Sequence, residues 1–362
     1  MMHNRAEAHI NLQAISRNVE RLKKAADTDL LAVVKADAYG HGLLEVSKTA
    51  LVAGADWLGV ALLEEAITLR KAGITAPILA WLVPPGSDFE LAAKNKIDIG
   101  VASIAAFKEI AKIKGKLRIH IEVDTGMTRG GFLDEWQDFL HSDFSTVEVI
   151  GFFSHFARAD EPGEQQNRDQ FKRFKEMLAE LEAVGVHPPI KHLSNSAATL
   201  ADHGSALSMV RTGIAMYGLT PDISMGSSKT LDLIPAMTLR AKLHLVKNVP
   251  AGSPVGYGAT EKTTRDTRLG VVSMGYADGI PRIARNAGVT FNGERAPIIG
   301  RVSMDQFVVD LGPNSSAKSG DWVTIFGDEG FSADDWASAS GSVNYEIVTR
   351  IGPRVPRIYP RG

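Results

Sequence analysis

Eight short apolar runs, set among stretches of helical periodicity, constrain the fold of this chain more than any other feature. They are LLAVVKA (30–36), WLGVAL (57–62), PILAWL (77–82), DIGV (98–101), LRIHIEV (117–123), VEVIGFFSH (147–155), IKHLSN (190–195) and MVRTG (209–213). Strands that read as nearly continuous apolar runs are buried on both faces, as in parallel sheets covered by helices. Around them, Leu12, Ile15, Val19 and Leu22 keep one helical face apolar, as do Phe171, Phe174, Leu178 and Leu181. Leu44, Val46 and Leu51, with Glu64–Leu69, follow the rhythm more loosely. Eight strands alternating with helices predict an α/β fold, a parallel (β/α)8 TIM-like barrel.

The rhythm changes near residue 230. Helical periodicity largely disappears, and β-rich runs follow: MTLRAKLHLV (237–246), LGVVSM (269–274), VTFNGERAPIIG (289–300), QFVVDL (306–311), DWVTIFG (321–327) and RVPRIY (354–359). Asn292-Gly293 reads as a two-residue hairpin turn. The expected organisation is a barrel over 1–232 and a mainly antiparallel β domain over 233–362.

Composition removes several functional classes. The net charge is −2 with no basic block, so the electrostatic footprint for nucleic acid is missing. No apolar run approaches the ~18 residues of a membrane span. The N-terminus, MMHNRAEAH, lacks the apolar stretch of a signal peptide. Cysteine is absent, which excludes disulfides and thiolate chemistry. A cytoplasmic protein without nucleic-acid or membrane partners is expected. There is no Walker loop, no dinucleotide-binding GxGxxG at a first strand, no HExxH and no GxSxG; no metal is expected.

Chemistry in such barrels sits at the C-terminal ends of the strands. The first run ends in Lys35, the fifth in Asp124 with Arg129 beyond, and the sixth in Ser154-His155. The seventh ends in Ser194-Asn195-Ser196 and the eighth in Arg211-Thr212-Gly213, whereas the second, third and fourth end blandly. A lysine desolvated at that mouth loses basicity and can form a Schiff base. SNSAA opens a helical pattern with a hydroxyl, and RTGI offers glycine and backbone N–H groups; both suit a phosphate. A Schiff-base lysine opposite a phosphate site points to pyridoxal 5′-phosphate (PLP). Taken singly, Lys35 also reads as a snorkelling surface group, His155 as a satisfied barrel histidine and Arg211 as an ion-pair residue.

AVVKADAYGHG (32–42), VDTGMTRGG (123–131), GFFSHFA (151–157), SNSAA (194–198), VRTGIAMYG (210–218), VGYGATE (255–261), GYADG (275–279), GRVSMDQ (300–306) and VNYEIVTRI (343–351) together resemble the successive motifs of the alanine racemases. These are PLP enzymes of fold type III, and the resemblance runs from about residue 5 to 359. It implies an isomerase interconverting L- and D-alanine for peptidoglycan, with Lys35 carrying PLP. It implies that Tyr39, Ser196, Gly213, Ile214 and Tyr345 hold the phosphate, with His155 and Asn195 completing the cofactor set. Arg211 is expected at the pyridine nitrogen, where a permanent cation can only donate.

The resemblance also implies two bases, Lys35 on one face of the substrate carbon and Tyr257 on the other. Tyr257 is expected to come from the second subunit of a homodimer together with Met304 and Asp305, and His155 and Arg211 to supply the positive charge a phenol needs. The substrate carboxylate is expected on Arg129. Tyr276, Arg282, Arg301 and Asp160 fall where the family has an entry corridor. Glu122 stands where part of the family has a carbamylated lysine; it reads either as the anion holding Arg129 or as a plain barrel ion pair. Tyr257 also reads as a turn aromatic between two glycines. Alternative functions are racemisation of another small amino acid such as serine, or non-catalytic PLP binding; a related decarboxylase fits poorly, because cysteine is absent and Arg211 stands at the pyridine position.

Overall fold

The computed structural model describes residues 4–201 and 207–360. It divides into two compact units: Ile15–Ala38 with Leu43–Leu233, and Met1–Ala14 with Tyr39–Gly42 and Ile234–Gly362. The change of rhythm near residue 230 coincides with one of these breaks. The other breaks have no counterpart in the sequence pattern, which put everything up to residue 232 in the barrel. The first strand, β1 (Ala6–Ile10), buries Ala6, Ala8 and Ile10 and pairs antiparallel with residues 237–241 of the second unit. AEAHI is too short, and its side chains too small, to announce that pairing in sequence.

All eight apolar runs form strands: β2 (Asp29–Val33), β3 (Trp57–Val60), β4 (Ile78–Ala80), β5 (Asp98–Val101), β6 (Arg118–Glu122), β7 (Glu148–Phe153), β8 (Ile190–His192) and β9 (Met209–Thr212). They are parallel and close in chain order into a barrel, with Leu30 against Val210 and Leu31 against Arg211 at the seam. Burial on both faces explains the unbroken apolar runs; each fully buried Leu, Ile or Val contributes roughly 1.5–3 kcal/mol. The helix Leu12–Ala26 buries Ile15, Val19 and Leu22 as its periodicity requires, with the Asn18 amide donating to Met216 O at 3.2 Å.

The helix Gln165–Ala183 departs from expectation. Its buried face carries Gln170, Phe174, Met177 and Leu181, while Phe171 is only half-buried and lies under the Lys175 ammonium at 4.7 Å. A glutamine occupies the buried position because its amide has partners there, described below.

The second unit centres on β10 (Met237–Val249), whose alternately buried Met237, Leu239, Ala241 and Leu243 show the period of two of a half-covered strand. After it come β11 (Pro254–Val255), β12 (Glu261–Lys262), β13 (Thr267–Val272), β14 (Gly288–Phe291), β15 (Glu294–Pro297), β16 (Phe307–Asp310), β17 (Trp322–Phe326) and β18 (Arg357–Ile358). Among the described residues, the strand pairings in this unit are antiparallel except β1 with β18. Asn292 (φ 49°) and Gly293 (φ 83°) form the two-residue turn joining Phe291 to Glu294. The α-helices Ala333–Ser340 and Asn344–Thr349 interrupt this region, so helical structure does not end at residue 230. Ser332 caps the first, accepting the Asp335 N–H at 3.0 Å, and Gly341 ends it in the left-handed region.

Candidate active site

Lys35 follows β2 and opens a turn of unusual hand. Ala36, Asp37, Ala38 and Tyr39 all have φ between 53° and 55°, a left-handed helical turn made without glycine until Gly40. Such a conformation costs about 1–2 kcal/mol per non-glycine residue. Fixed partners hold it. Glu65 Oε1 accepts the Ala36 N–H at 2.6 Å, Asp37 Oδ1 accepts the Leu43 N–H at 2.8 Å, and Val34 O accepts the Ala38 N–H at 2.9 Å. Strain over-determined in this way is characteristic of functional positions.

The turn aims Lys35 into the barrel. Its ammonium lies 5.9 Å from the Trp81 ring centroid, over the residue that follows β4. The PILAWL run, which ends without a polar group, therefore supplies the wall beside the lysine. Loss of water and the charge of Arg129 lower the basicity of Lys35, with Glu65 opposing. More free amine is present at neutral pH than an exposed lysine would offer.

Arg211, on β9, is buried and wrapped in acceptors. Nη1 donates to His192 Nδ1 at 3.1 Å and His192 O at 3.0 Å; Nη2 donates to Ser154 O at 2.7 Å, His155 Nδ1 at 3.2 Å and Leu193 O at 3.3 Å. Burial brings its pKa down to about 10, Glu122 opposing, so the guanidinium remains charged at neutral pH. His155 is pushed down to about 3 by burial and by the charges of Arg211, Arg129 and Lys35. The expectation that His155 supplies positive charge is therefore corrected. It is a neutral ring, because its Nδ1 accepts from Arg211 and burial beside that guanidinium disfavours a second cation.

Ser154 and His155 are held from behind. Thr125 and Ser154 hydroxyls meet at 2.9 Å, while Gln170 Nε2 donates to His155 O at 2.9 Å and its Oε1 accepts the Ala157 N–H at 2.9 Å. This is the work of the buried Gln170, which helical periodicity alone did not single out.

At the ends of β8 and β9, Ser196 Oγ accepts the N–H groups of Gly213 (2.8 Å) and Ala215 (3.4 Å), leaving its own proton for an acceptor. Asn195 Oδ1 accepts the Ala198 N–H at 3.0 Å and so steadies the helix Ser196–Ala201. Gly213 and the buried Ile214 start the 3-10 turn 214–217. A hydroxyl donor, two helical starts and a buried permanent cation on one barrel fit a phosphorylated pyridine, and the weakly basic Lys35 fits its aldehyde.

Asp124 Oδ1 accepts three successive N–H groups, from Gly126, Met127 and Thr128 at 2.8, 3.0 and 3.1 Å, and so shapes the loop that exposes Arg129. Glu122 is partly buried, its Oε1 3.5 Å from where a Cβ on Gly130 would lie. Burial raises its pKa against the lowering fields of Arg211 and Arg129. Asp160 lies on the same unit, near Arg158.

The remaining candidates belong to the other unit. The Tyr39 and Tyr345 rings are 6.2 Å apart, and burial raises the Tyr39 phenol. Tyr257 tops the β11–β12 hairpin between Gly256 (φ 70°) and Gly258 (φ 78°), 70% exposed. Arg301 lies against the flanking glycines, its backbone N 3.2 Å from where a Cβ on Gly256 would sit. Arg282 and Arg301 line a cavity of about 270 Å³ with Glu261; Tyr276 is not among its lining residues. The segments of Tyr276 and Met304 are joined through backbone, Tyr276 N–H to Ser303 O at 3.1 Å and Ala277 N–H to Met304 O at 2.9 Å. Asp305 pairs with Arg354 at 2.7 Å. The anchor of this cluster is Asp278, fully buried and bound by Arg5 at 2.6 Å and Arg354 at 3.2 Å. Nothing in GYADG had marked that carboxylate.

Comparison with known proteins agrees with this geometry. The family description for the alanine racemase N-terminal domain matches residues 10–221, and that for the C-terminal domain matches 236–359. A curated alanine racemase of Salinispora tropica is 46% identical over 369 residues, covering 98% of each chain. The crystal structure of alanine racemase from the D-cycloserine-producing Streptomyces lavendulae superposes with a TM-score of 0.96 at 44% identity, covering 100% of this chain and 98% of that one. The Bacillus anthracis alanine racemase with bound L-Ala-P gives 0.92 at 39% identity, covering 100% and 96%. With both halves matched in order and the barrel-plus-sheet architecture shared throughout, the chain belongs to the alanine racemase family.

Proposed function

We propose that this protein is a PLP-dependent racemase that interconverts L- and D-alanine and supplies D-alanine for peptidoglycan, acting as a cytoplasmic homodimer. The observation that carries the reading is the pairing, on one barrel, of a lysine of lowered basicity with a buried arginine held through both Nη atoms. No helix among the described residues is long and apolar enough to cross a membrane.

Lys35, Tyr39, His155, Asn195, Ser196, Arg211, Gly213, Ile214 and Tyr345 would hold the cofactor. When bound, PLP supplies the electron sink that makes the substrate Cα–H acidic. Arg211 keeps its proton at neutral pH and can only donate toward a ring nitrogen, which limits that sink and disfavours side reactions. The rest is proton movement. Lys35 Nζ takes or returns the Cα proton on one face, and the Tyr257 hydroxyl of a second copy does so on the other. General acid–base groups of this kind contribute typically 10²–10⁴-fold. A phenol needs nearby positive charge to act as a base, and with His155 neutral that charge comes from guanidinium groups. Arg129 offers the alanine carboxylate a planar two-point contact that orients Cα, with Met304 and Asp305 completing the pocket from the second copy. Tyr276, Arg282, Arg301 and Asp160 are proposed to line the approach.

The test is D/L interconversion across alanine, serine and other small amino acids, with and without added PLP. Alanine racemisation that depends on PLP is expected. Turnover of serine in preference to alanine would move the substrate assignment, and no turnover of any substrate would overturn the reading.

A further inference from the structure

Two buried histidines that the proposed chemistry does not use lie in a line beneath Arg211. Arg211 Nη1 contacts His192 Nδ1 at 3.1 Å, and His192 Nε2 contacts His120 Nδ1 at 2.9 Å. His120 Nε2 faces Asp98 Oδ2 at 3.5 Å, an ion-pair distance without hydrogen-bond geometry. Asp98 is clasped by Arg118 through Nε at 2.9 Å and Nη2 at 3.0 Å. Both rings are 0% exposed and Asp98 2%. The line climbs the barrel interior, from the first residues of β5 and β6 to the last residue of β8 and then to β9.

The barrel is shaped around this line. A Cβ on Gly151 of β7 would lie 1.9 Å from His120 Nδ1, so no larger residue tolerates the ring where it is. Trp57 meets His120 edge-on at 5.6 Å, and Phe153 stacks on His192 at 4.8 Å with 9° between planes. Neither ring can turn over freely.

Hydrogen-bond roles along the line follow from its ends. A guanidinium never accepts, so His192 Nδ1 must be the unprotonated nitrogen and Nε2 carries the proton. That proton points at His120 Nδ1, which must then accept, and the His120 proton sits on Nε2 facing the Asp98 carboxylate. No other assignment satisfies the Arg211–His192 and His192–His120 contacts with neutral rings. Burial and the charge of Arg211 oppose protonation of both imidazoles; at His120, Arg118 adds to them and Asp98 opposes.

We propose that Asp98, His120 and His192 form a one-way relay of positioning residues that locks both imidazoles as Nε2–H tautomers and thereby fixes the donor face of Arg211. The relay ties the buried guanidinium to the Asp98–Arg118 ion pair across two neutral rings, while Glu122 is a nearer negative charge. Its relevance to racemisation rests on the role assigned to Arg211 above; the tautomer assignment stands on the contacts alone.

The test is imidazole 15N NMR on the full chain, before and after PLP loading. Both histidines are expected as Nε2–H tautomers, with a nitrogen–nitrogen coupling between His192 Nε2 and His120 Nδ1. A Nδ1–H tautomer at either ring, or a charged ring at neutral pH, overturns the proposal. Asp98→Asn offers one acceptor to Arg118 and turns an N–H toward His120. It is expected to abolish that coupling and to lower kcat about tenfold with KM within twofold, while Asp98→Glu recovers most of the rate. Wild-type coupling and kcat in Asp98→Asn would also overturn it. If that variant does not fold, the wild-type tautomers still decide. A wild-type chain with these tautomers but no racemase activity would count against the function and leave the relay standing.

Discussion

Glu65 accepts the N–H of Ala36 at 2.6 Å, so the residue directly after Lys35 is held by a carboxylate from the helix following β3. The same carboxylate accepts the N–H groups of Ala61 and Leu62 through Oε2, both at 3.0 Å. One side chain thus starts its own helix and pins the left-handed turn. Glu65→Ala releases three backbone donors, some of them solvent-accessible, and should lower stability by about 1–2 kcal/mol in denaturant titration. It also removes the anion that opposes the fall in Lys35 basicity. The loosened turn under Lys35 outweighs the added free amine, so binding of PLP, followed by absorbance, should weaken in the same variant. Unchanged stability and unchanged binding would show that the turn holds without Glu65.

The parts of this fold that were legible in sequence are those fixed by local pattern. Barrel strands announce themselves because both faces are buried, and the Asn292-Gly293 hairpin because its turn demands positive φ. Lys35, Ser196 and Arg211 stood out because polar residues ended apolar runs. What stayed hidden depends on partners distant in sequence. The turn Ala36–Tyr39 contains no glycine, and its hand is imposed by Glu65 and its neighbours. Gln170 looks like a surface residue until the chain at His155–Ala157 needs its amide. His120 and His192 sit inside apolar strands, where only the space left at Gly151 shows that they meet.

Glu122 separates an electrostatic role from simple packing. Its carboxylate lies against Gly130 and acts on both Arg129 and Arg211. Glu122→Gln keeps the shape and removes the charge. If Glu122 is the anion that readies Arg129, the variant should raise KM for alanine about tenfold, or about 1.4 kcal/mol of binding, with a smaller change in kcat. An unchanged KM would return Glu122 to an ordinary barrel residue.

Acid should unfold this protein through its buried imidazoles. The His155 pKa is depressed to about 3, and those of His120 and His192 are also depressed, chiefly by burial. The unfolded chain therefore binds more protons than the native one below the ordinary histidine pKa of about 6.5. The stability these groups contribute is complete above that value and is lost as pH falls toward 3. Each neutral ring adds a slope of up to about 1.4 kcal/mol per pH unit. Glu122, with its raised pKa, acts in the opposite sense just above the ordinary carboxylate range. Thermal midpoints should be flat from pH 8 to 7 and fall progressively below pH 6.5. A midpoint that holds down to pH 5 would mean that these histidines are not kept neutral in the folded state.

Tyr257 is 70% exposed at the tip of a hairpin, an arrangement that suits a phenol completed by a second copy of the chain. Tyr257→Phe removes one hydroxyl from a solvent-facing tip, so fold and PLP absorbance should persist while racemisation falls by roughly 10²–10⁴-fold. Lys35→Ala should be inactive for the complementary reason. Mixing the two inactive proteins under conditions that exchange subunits separates shared sites from self-contained ones. In a hybrid dimer with shared sites, one site receives the intact lysine of one chain and the intact tyrosine of the other, while its twin has neither. Random association makes half the dimers hybrid with one working site of two, so about a quarter of wild-type activity should return. If each chain uses its own Tyr257, no mixture recovers activity, and the shared-site dimer fails.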